Sequence, residues 1–472
     1  MNLLITSIPW TDTESPLLAP AILKSMCKKY KIRSTAIDLN QEVLNHVRKT
    51  FDDESQKNLQ QFFYNGTKDF DREKAREVID FCANRILSFS PTHVALSLLA
   101  YTSQIACEWI CFRLKLLDPN IKIIIGGAGV FSTLESKNNI AKKLLEQKQI
   151  DFYIKGDGDI SLPELILKEN NKVSGVNEEV WTQVPDLNDQ PFPDYSDYDF
   201  GLYENQSIGV VGSRGCVRRC SFCDIHEHWK KYQWRTGEDI FKELVWHYRN
   251  TGVTNYKFQD SLINGNQNEF RKLMKLLAKH NTENPDKQIK WSSFFIFRPQ
   301  SQMNEDDWID ISKSARNLTV GIESINQDVR FHMGKKFTNG DMHYCFDMCK
   351  KYNIGCHVLL IVGYVTDTEQ TNTETIQWFR DNKHYVGNPI TSVSLGGTLG
   401  ILPGTELYRN QKELGIELKD EQFDHNWIIP EKGNTPAIRL RWHKEQTEAC
   451  KEAGFTVTSL VDNHLLMEQM MK

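Results

Sequence analysis

The run Cys216-Val-Arg-Arg-Cys220-Ser-Phe-Cys223 constrains the fold of this chain more than any other feature of the sequence. Its spacing is C-x3-C-x2-C, so one short loop carries three potential thiolate donors. Three thiolates can hold a metal centre, but they leave a cubane iron–sulfur cluster one protein ligand short. If the centre is such a cluster, the chain must fold so that this loop wraps it and leaves one iron open to a small molecule.

A zinc site is the alternative for the same cysteines. Zinc usually takes four ligands in tetrahedral geometry, often from paired C-x2-C cysteines. The nearest further donors in the sequence are Asp224, His226 and His228. A zinc site would leave the matches further along the chain unexplained.

The cysteine run, with Phe222 before its last cysteine, resembles the cluster-binding motif of the radical S-adenosylmethionine (SAM) enzymes. In that family SAM binds the fourth iron through its amino and carboxylate groups. Phe222 stands at a position that is usually aromatic there and lies near the adenine. The resemblance implies a [4Fe-4S] cluster on Cys216, Cys220 and Cys223. It also implies reductive cleavage of SAM to a 5'-deoxyadenosyl radical.

Length and composition predict a globular protein with several domains. The 472 residues include 57 Lys and Arg against 62 Asp and Glu, a net charge of −5 with no long charged block, which argues against a nucleic-acid-binding surface. The apolar runs are too short to span a membrane, and no secretory signal is evident. The 11 scattered cysteines and an oxygen-sensitive cluster predict a cytoplasmic, reducing environment.

Short apolar segments alternate with helical patterns in the first part of the chain. Buried strands separated by helices indicate a doubly wound, Rossmann-like α/β domain with a parallel sheet. Ligands of such sheets bind at the carboxyl ends of the strands, where Gly127 and Gly156 stand. The predicted strands are 2–8, 34–39, 93–99, 122–127 and 151–156.

This arrangement resembles the cobalamin-binding domain that precedes the radical core in one large branch of the family. The matching pieces are the helix after Pro16, the strand end at Gly126-Gly127 and the run Gly156-Asp-Gly-Asp159. The resemblance implies that Gly127 and Gly156 lie against bound cobalamin. The D-x-H-x-x-G signature, whose histidine ligates cobalt in other cobalamin proteins, is absent, as in many members of this branch. A domain that packs on the core or binds nothing is the alternative.

Strands and helices alternate again from residue 207. Six repeats fit a partial (β/α)6 barrel of the TIM type, in which the chemistry gathers at the carboxyl ends of the strands. A proline-rich stretch precedes the repeats, and a tail with a closing helix follows them. The predicted segments are a cobalamin-binding-like domain (1–184), a linker (185–206), a radical SAM core (207–410) and a C-terminal helical extension (411–472).

Residues at these strand ends match elements that contact SAM in the family. Asp260 follows strand two, where the family places a loop that contacts the SAM amino group. Glu323 ends strand four near the ribose, and Gly363 ends strand five, where backbone groups meet the adenine. Arg298 ends strand three and could pair either with the SAM carboxylate or with a protein carboxylate. No catalytic residue is assigned.

A second cysteine set, Cys345, Cys349 and Cys356, has the spacing C-x3-C-x6-C and could suggest an auxiliary cluster. Cys345 and Cys349 are four residues apart on a predicted helix with core-like spacing. Free cysteine is a common buried residue, so we expect core packing. The same expectation applies to Cys27, Cys82, Cys107, Cys111 and Cys450.

The resemblance implies a cobalamin-dependent radical SAM enzyme that methylates or rearranges an unactivated carbon. Its substrate would be a small molecule or a peptide, and its electrons would come from an external donor such as flavodoxin or ferredoxin. One alternative is a radical SAM enzyme without cobalamin, such as a methylthiotransferase. Those enzymes carry three cluster cysteines in the first domain and a basic RNA-binding tail, neither of which is evident. The other alternative is a non-catalytic metal- or cobalamin-sensing module.

Overall fold

The computed structural model describes residues 2–10, 15–67, 70–99, 101–131, 139–168, 173–178, 180–203, 206–419 and 424–458. The chain divides into two compact units, Met1–Val210 and Val211–Lys472. No helix within the described ranges is both long enough and apolar enough to cross a membrane. The four segments predicted from the sequence stay a prediction as domains.

The first unit is built on a five-stranded sheet in which every described pair of strands is parallel. The order is second, first, third, fourth, fifth, which is a doubly wound order with a switch point between the first and third strands. The predicted strands are therefore confirmed, with slightly shorter bounds. The strands are β1 (Leu3–Ser7), β2 (Ser34–Ile37), β3 (His93–Ser97), β4 (Lys122–Gly126) and β5 (Phe152–Ile154).

Helices cover both faces of this sheet, because alternate residues of its strands enter separate hydrophobic cores. Leu4 of β1 packs with residues of the second to seventh helices, whereas Leu3 and Ile5 pack with the first and last. The segment between β2 and β3 forms three helices. The helices of this unit are α1 (Leu18–Lys29), α2 (Leu39–Thr50), α3 (Asp53–Asn65), α4 (Arg72–Leu87), α5 (Gln104–Leu117), α6 (Ala128–Phe131), α7 (Ile140–Glu146) and α8 (Gly158–Lys168).

The proline- and aspartate-rich stretch predicted as a linker is anchored to the first unit. Asp197 lies 2.6 Å from the Lys24 ammonium of α1 and accepts a hydrogen bond of 2.9 Å from the Ala36 N–H of β2. Asp194 lies 3.4 Å from the same ammonium. Half-buried ion pairs of this kind fix the path of the stretch along α1.

Gly127 and Gly156 lie just beyond β4 and β5, at the predicted edge of the sheet. Their φ angles are +105° and +94°, a region that side chains rarely adopt. A Cβ atom on Gly127 would lie 2.5 Å from the carbonyl oxygen of Leu98, and one on Gly156 would lie 2.2 Å from that of Thr182. The backbone of the first unit therefore requires glycine at both positions. A bulkier residue at either one would disturb the fold, whether or not a ligand binds there.

The second sheet has six strands that follow one another in chain order, as in a partial (β/α) barrel. Its four described strand pairings are parallel. The α/β class with a Rossmann-like sheet followed by a partial barrel is thereby confirmed. The strands of this sheet are β6 (Ser207–Val210), β9 (Asn255–Phe258), β10 (Lys290–Phe295), β11 (Ala315–Glu323), β12 (Gly355–Leu360) and β13 (Ile390–Ser394), and a separate hairpin is formed by β7 (Ser213–Arg214) and β8 (Gln233–Trp234).

Helices separate these strands and pack on their outward-facing residues. Trp291 and Phe295 of β10 are fully buried under the helices, whereas Phe294 between them is 45% exposed on the other face. The helices are α9 (Ile225–His228), α10 (Gly237–Thr251), α11 (Gln267–Glu283), α12 (Glu305–Ser312), α13 (Gln327–His332), α14 (Asn339–Lys351), α15 (Glu369–Asp381), α16 (Glu406–Arg409) and α17 (Pro436–Glu452).

The predicted closing helix is α17, and it packs against α15. The Asn372 amide donates to Glu445 at 2.7 Å, and the Trp442 indole donates to Glu369 at 3.0 Å. After α17, the Thr456 carbonyl accepts from the Val393 N–H at 2.8 Å, so the chain returns alongside β13. The described part of the C-terminal extension therefore packs within the second unit.

Candidate functional site

The three cysteines lie in the loop between β7 and α9. All three are free and half-buried. The Arg218 N–H points at the Cys216 sulfur at 3.4 Å, and the Cys223 N–H donates to the Cys220 carbonyl at 3.1 Å. Backbone N–H groups aimed at sulfur stabilise thiolate charge, as at iron–sulfur centres. The loop thus brings the predicted ligands together.

Burial raises the pKa of each thiol in this loop, to about 12 for Cys223. The positive charges of Lys335 and Arg218 act in the opposite direction on Cys216 and Cys220. Cysteine ligates metals as the thiolate. The positive charge of a bound metal centre must therefore be the main cause that lowers the pKa of these thiols and deprotonates them.

The described residues contain no group of three or more His, Cys, Asp or Glu side chains that could hold a single metal ion. The extra donors of the zinc alternative have other partners: His226 contacts the Arg218 carbonyl at 2.6 Å, and His228 contacts Asp224 at 3.0 Å. A four-iron cluster distributes three cysteines over three irons, so the sulfurs need not converge on one point. The loop therefore fits a cluster better than zinc.

Asp260 lies beneath the start of the cysteine loop and is 1% exposed. Its carboxylate accepts hydrogen bonds of 2.8 Å from the Gly212 N–H and 2.6 Å from the Ser213 hydroxyl. Burial raises the pKa of Asp260 to about 6, although these bonds oppose the shift. The side chain thus anchors the residues that lead into the loop, and its predicted contact with SAM stays a prediction.

Glu323 ends β11 and pairs with Lys335, a residue that the sequence analysis did not select. The Lys335 ammonium lies 2.8 Å from the Glu323 carboxylate and donates to the Gly321 carbonyl at 3.0 Å. Both side chains are nearly buried, at 12% and 13% exposure. Glu323 has a φ of +66°, a strained conformation for a non-glycine residue that is typical of functional sites.

Lys335 also connects this pair to the cysteine loop. Burial is the largest single influence on the pKa of Lys335, and it lowers that pKa. The opposite effects of Glu323 and the Cys220 sulfur together outweigh burial, so the pKa of Lys335 is raised. Its ammonium lies 5.9 Å from the centre of the Phe222 ring, which is half-buried between the last two cysteines.

Arg298 lies three residues beyond the end of β10. Strand β10 ends before Ile296 because the Asn264 side chain occupies the backbone groups of that residue. The Asn264 amide donates to the Ile296 carbonyl at 2.9 Å, and its oxygen accepts from the Ile296 N–H at 3.1 Å. The Arg298 guanidinium donates to the Asn264 carbonyl at 2.9 Å and to Gln302 at 3.2 Å, and it has no carboxylate partner within the described residues. The structural ion pair considered for this residue is therefore absent from that part of the chain. Its guanidinium has no counter-charge within the described ranges.

Gly363 follows β12 with a φ of +77°. A Cβ atom there would lie 2.3 Å from the Arg439 side chain of α17. Close packing of the C-terminal helix therefore accounts for the glycine, and the predicted adenine contact of its backbone stays a prediction.

Core packing is confirmed for the cysteines outside the loop. Cys345, Cys349 and Cys356 are fully buried, at 0% exposure. The same is true of Cys27, Cys82, Cys107, Cys111 and Cys450. None of these cysteines belongs to a metal-binding group among the described residues.

The sequence profile of the radical SAM superfamily matches residues 210–379, which include the three loop cysteines, Asp260, Glu323 and Gly363. This part of the chain therefore carries a radical SAM domain.

Solved structures of radical SAM enzymes share the fold over nearly the whole chain. The radical SAM methyltransferase TsrM from Kitasatospora setae, solved with its tryptophan substrate and a SAM analogue, superposes with a TM-score of 0.66 at 15% identity. The match covers 96% of this chain and 89% of TsrM. The cobalamin-dependent enzyme OxsB matches with a TM-score of 0.61 at 14% identity, over 95% of this chain and 61% of OxsB. At these identities the likeness establishes the fold.

Two curated relatives match parts of the chain. One is the anaerobic magnesium-protoporphyrin IX monomethyl ester cyclase of Synechocystis sp., 23% identical over 61% of this chain. The other is the ribosomal protein uS12 methylthiotransferase RimO of Hydrogenobaculum sp., 27% identical over 37% of this chain. The chain spans 58% and 44% of the length of these relatives.

A radical SAM domain implies a [4Fe-4S] cluster and SAM, and the donor set of this loop fits them. Three thiols stand in one half-buried loop, and the charge of Lys335 acts on them.

We expect one four-iron cluster per chain. Replacing Cys216, Cys220 and Cys223 together by Ala should abolish the iron and sulfide retained after anaerobic reconstitution, because no other described thiol can replace these ligands. Iron and sulfide analysis of desalted protein measures this directly. Cys345→Ala is the matched control and should keep a full complement. If the triple variant retained as much iron as the wild-type protein, this prediction would be wrong and Cys345, Cys349 and Cys356 would be the candidate cluster ligands.

Proposed function

We propose that this radical SAM enzyme is cobalamin-dependent and methylates or rearranges an unactivated carbon of a small-molecule or peptide substrate. The observation that carries the proposal is the fold shared with TsrM over 96% of the chain, with a doubly wound unit ahead of the three-cysteine loop. A cysteine loop alone would support a radical SAM enzyme of any kind. The additional unit supports the cobalamin-dependent branch.

Cys216, Cys220 and Cys223 would hold the cluster and leave one iron for SAM. When bound, the cluster and SAM supply one-electron cleavage of SAM and hence a radical that removes a hydrogen atom from an unreactive carbon. The protein's task is to hold the reactants in register and to exclude water and oxygen. An external electron donor such as flavodoxin or ferredoxin would supply the electron, and a reducing cytoplasm suits such a centre.

Three charged side chains would orient SAM. Arg298 presents a guanidinium that has no counter-charge among the described residues, which suits the SAM carboxylate. Glu323 would bind a ribose hydroxyl while Lys335 orients its carboxylate. The same ammonium, close to the loop cysteines, would partly offset the negative charge of the ligated cluster.

Cobalamin would bind the first unit at the carboxyl edge of its sheet. Doubly wound sheets bind ligands at this edge, near the switch point, which here lies between β1 and β3. Residues 1–210 contain two histidines, His46 and His93. His93 begins β3, at the opposite edge, and His46 of α2 stacks on Phe81 at 4.1 Å. Neither position suits a ligand to cobalt, so we propose that no histidine of this unit binds the metal.

Methyl transfer is the favoured outcome because TsrM is a methyltransferase with the same overall fold. The similarity to the Synechocystis cyclase supports ring formation or rearrangement as the second candidate reaction. Methylthiotransfer has weaker support: the similarity to RimO covers 37% of this chain, and the cysteines of the first unit are buried in its cores.

The proposal predicts slow formation of 5'-deoxyadenosine when reconstituted protein, SAM and a strong reductant are mixed without substrate. Glu323→Ala should weaken SAM binding by about 1–3 kcal/mol, the cost of one hydrogen bond to a charged group. Glu323→Gln, which can still accept from Lys335, should lose less. Chromatography of the nucleoside products and equilibrium binding of SAM measure the two effects. Wild-type protein with an intact cluster that never cleaves SAM would contradict the proposal.

The cobalamin part is tested by titrating cluster-free protein with hydroxocobalamin, desalting it and recording the optical spectrum. We expect about one retained cobalamin per chain. Electron paramagnetic resonance of the Co(II) form should lack coupling to a histidine nitrogen of the protein, which growth on 15N-histidine would identify. If folded wild-type protein retains no cobalamin, cobalamin-dependent methyl transfer is excluded. If histidine coupling appears, cobalamin binding stands and the proposed ligation is wrong.

A further inference from the structure

Ser221, between the second and third cysteines, fixes the loop to three separate segments of the second unit. Its N–H donates to the Met333 carbonyl at 3.1 Å, and its own carbonyl accepts from the Leu407 N–H at 3.0 Å. Its hydroxyl shares a hydrogen bond of 2.6 Å with the Tyr364 phenol. Ser221 is 4% exposed, so water does not satisfy these groups in place of the protein.

Of the three residues that bond Ser221, only Tyr364 does so through its side chain. Met333 and Leu407 do so through backbone groups. Tyr364 is fully buried and follows Gly363 after β12. Its hydroxyl also lies 2.9 Å from the His332 ring nitrogen Nδ1. Burial raises its pKa well above the ordinary value, so the phenol stays neutral and can both donate and accept. A neutral phenol is the group that this pair of contacts requires.

The C-terminal segment holds the backbone of Tyr364. The Asn434 amide donates to the Tyr364 carbonyl at 3.1 Å and is itself fixed by the Arg439 guanidinium at 2.8 Å. That guanidinium donates to the Trp427 carbonyl at 2.9 Å and stacks 3.8 Å from the Trp427 ring. The Arg439 side chain also fills the space beside Gly363. A continuous set of contacts therefore leads from α17 to the cysteine loop.

We propose that Tyr364 is a positioning residue that sets the conformation of the cluster-binding loop, and that Asn434 and Arg439 of the C-terminal segment hold it in place. The inference rests on the proposed function, because it concerns how that cluster is held. It gives a role to a segment in which the sequence shows no motif. Tyr364 does not touch the reacting atoms; it acts through Ser221.

Tyr364→Phe tests the proposal because it keeps the ring and removes only the hydroxyl. Tyr256→Phe is the matched control. Tyr256 is also buried, at 1% exposure, and its hydroxyl donates to the Leu244 and Val253 carbonyls at 2.7 and 2.9 Å, away from the loop. Both variants lose buried hydrogen bonds, so a general loss of stability should affect both.

Three readouts separate local from general effects. In cluster-free protein, amide hydrogen exchange of the peptide 216–223 should rise on the order of fivefold in Tyr364→Phe, the factor expected for one lost hydrogen bond, and should not change in Tyr256→Phe. In reconstituted protein, iron release to a chelator should accelerate by a similar factor in Tyr364→Phe alone. The electron paramagnetic resonance line shape of the reduced cluster should also change in that variant.

Equal exchange and equal iron release in the two variants, or values for Tyr364→Phe that match wild type, would overturn the positioning role. The exchange measurement needs no cluster. If wild-type protein held no cluster but the exchange difference were present, the proposed function would fail and the control of the loop by Tyr364 would stand.

Discussion

Three cysteines are one ligand too few for a four-iron cluster, and the arrangement of the second unit follows from that shortage. The protein holds such a cluster only through the three cysteines of one loop, because the fourth iron has no protein ligand. The loop itself must therefore be rigid. Asp260 anchors the residues that lead into the loop, and Ser221 fixes its middle. The negative charge of three thiolates is opposed by the buried ammonium of Lys335.

The sequence was informative where a local pattern has a local cause. Strand positions follow from short apolar runs, and the core role of Cys345 and Cys349 follows from helical spacing. The cysteine loop could be identified because its three ligands are adjacent in the chain. All three features are present in the structure where they were predicted.

Contacts between distant segments were not predictable. Lys335 is one of many lysines until the fold places its ammonium 2.8 Å from Glu323. Asn434 and Arg439 have no motif, yet they reach the loop through Tyr364. Gly127 and Gly156 stand at the strand ends where they were predicted, and their contact with cobalamin stays a prediction. The carbonyls of Leu98 and Thr182 occupy the space that a side chain would need, so the backbone alone requires glycine at both positions. Glycine at a strand end is therefore weak support for a ligand.

The account depends most on SAM binding the open iron. Pulsed electron paramagnetic resonance of the reduced cluster, with SAM labelled with 15N in its amino group and 17O in its carboxylate, tests that claim directly. We predict hyperfine coupling from both labels to the cluster, because the fourth iron has no cysteine ligand. A reduced, intact cluster that shows no coupling from either label in excess SAM would contradict the account.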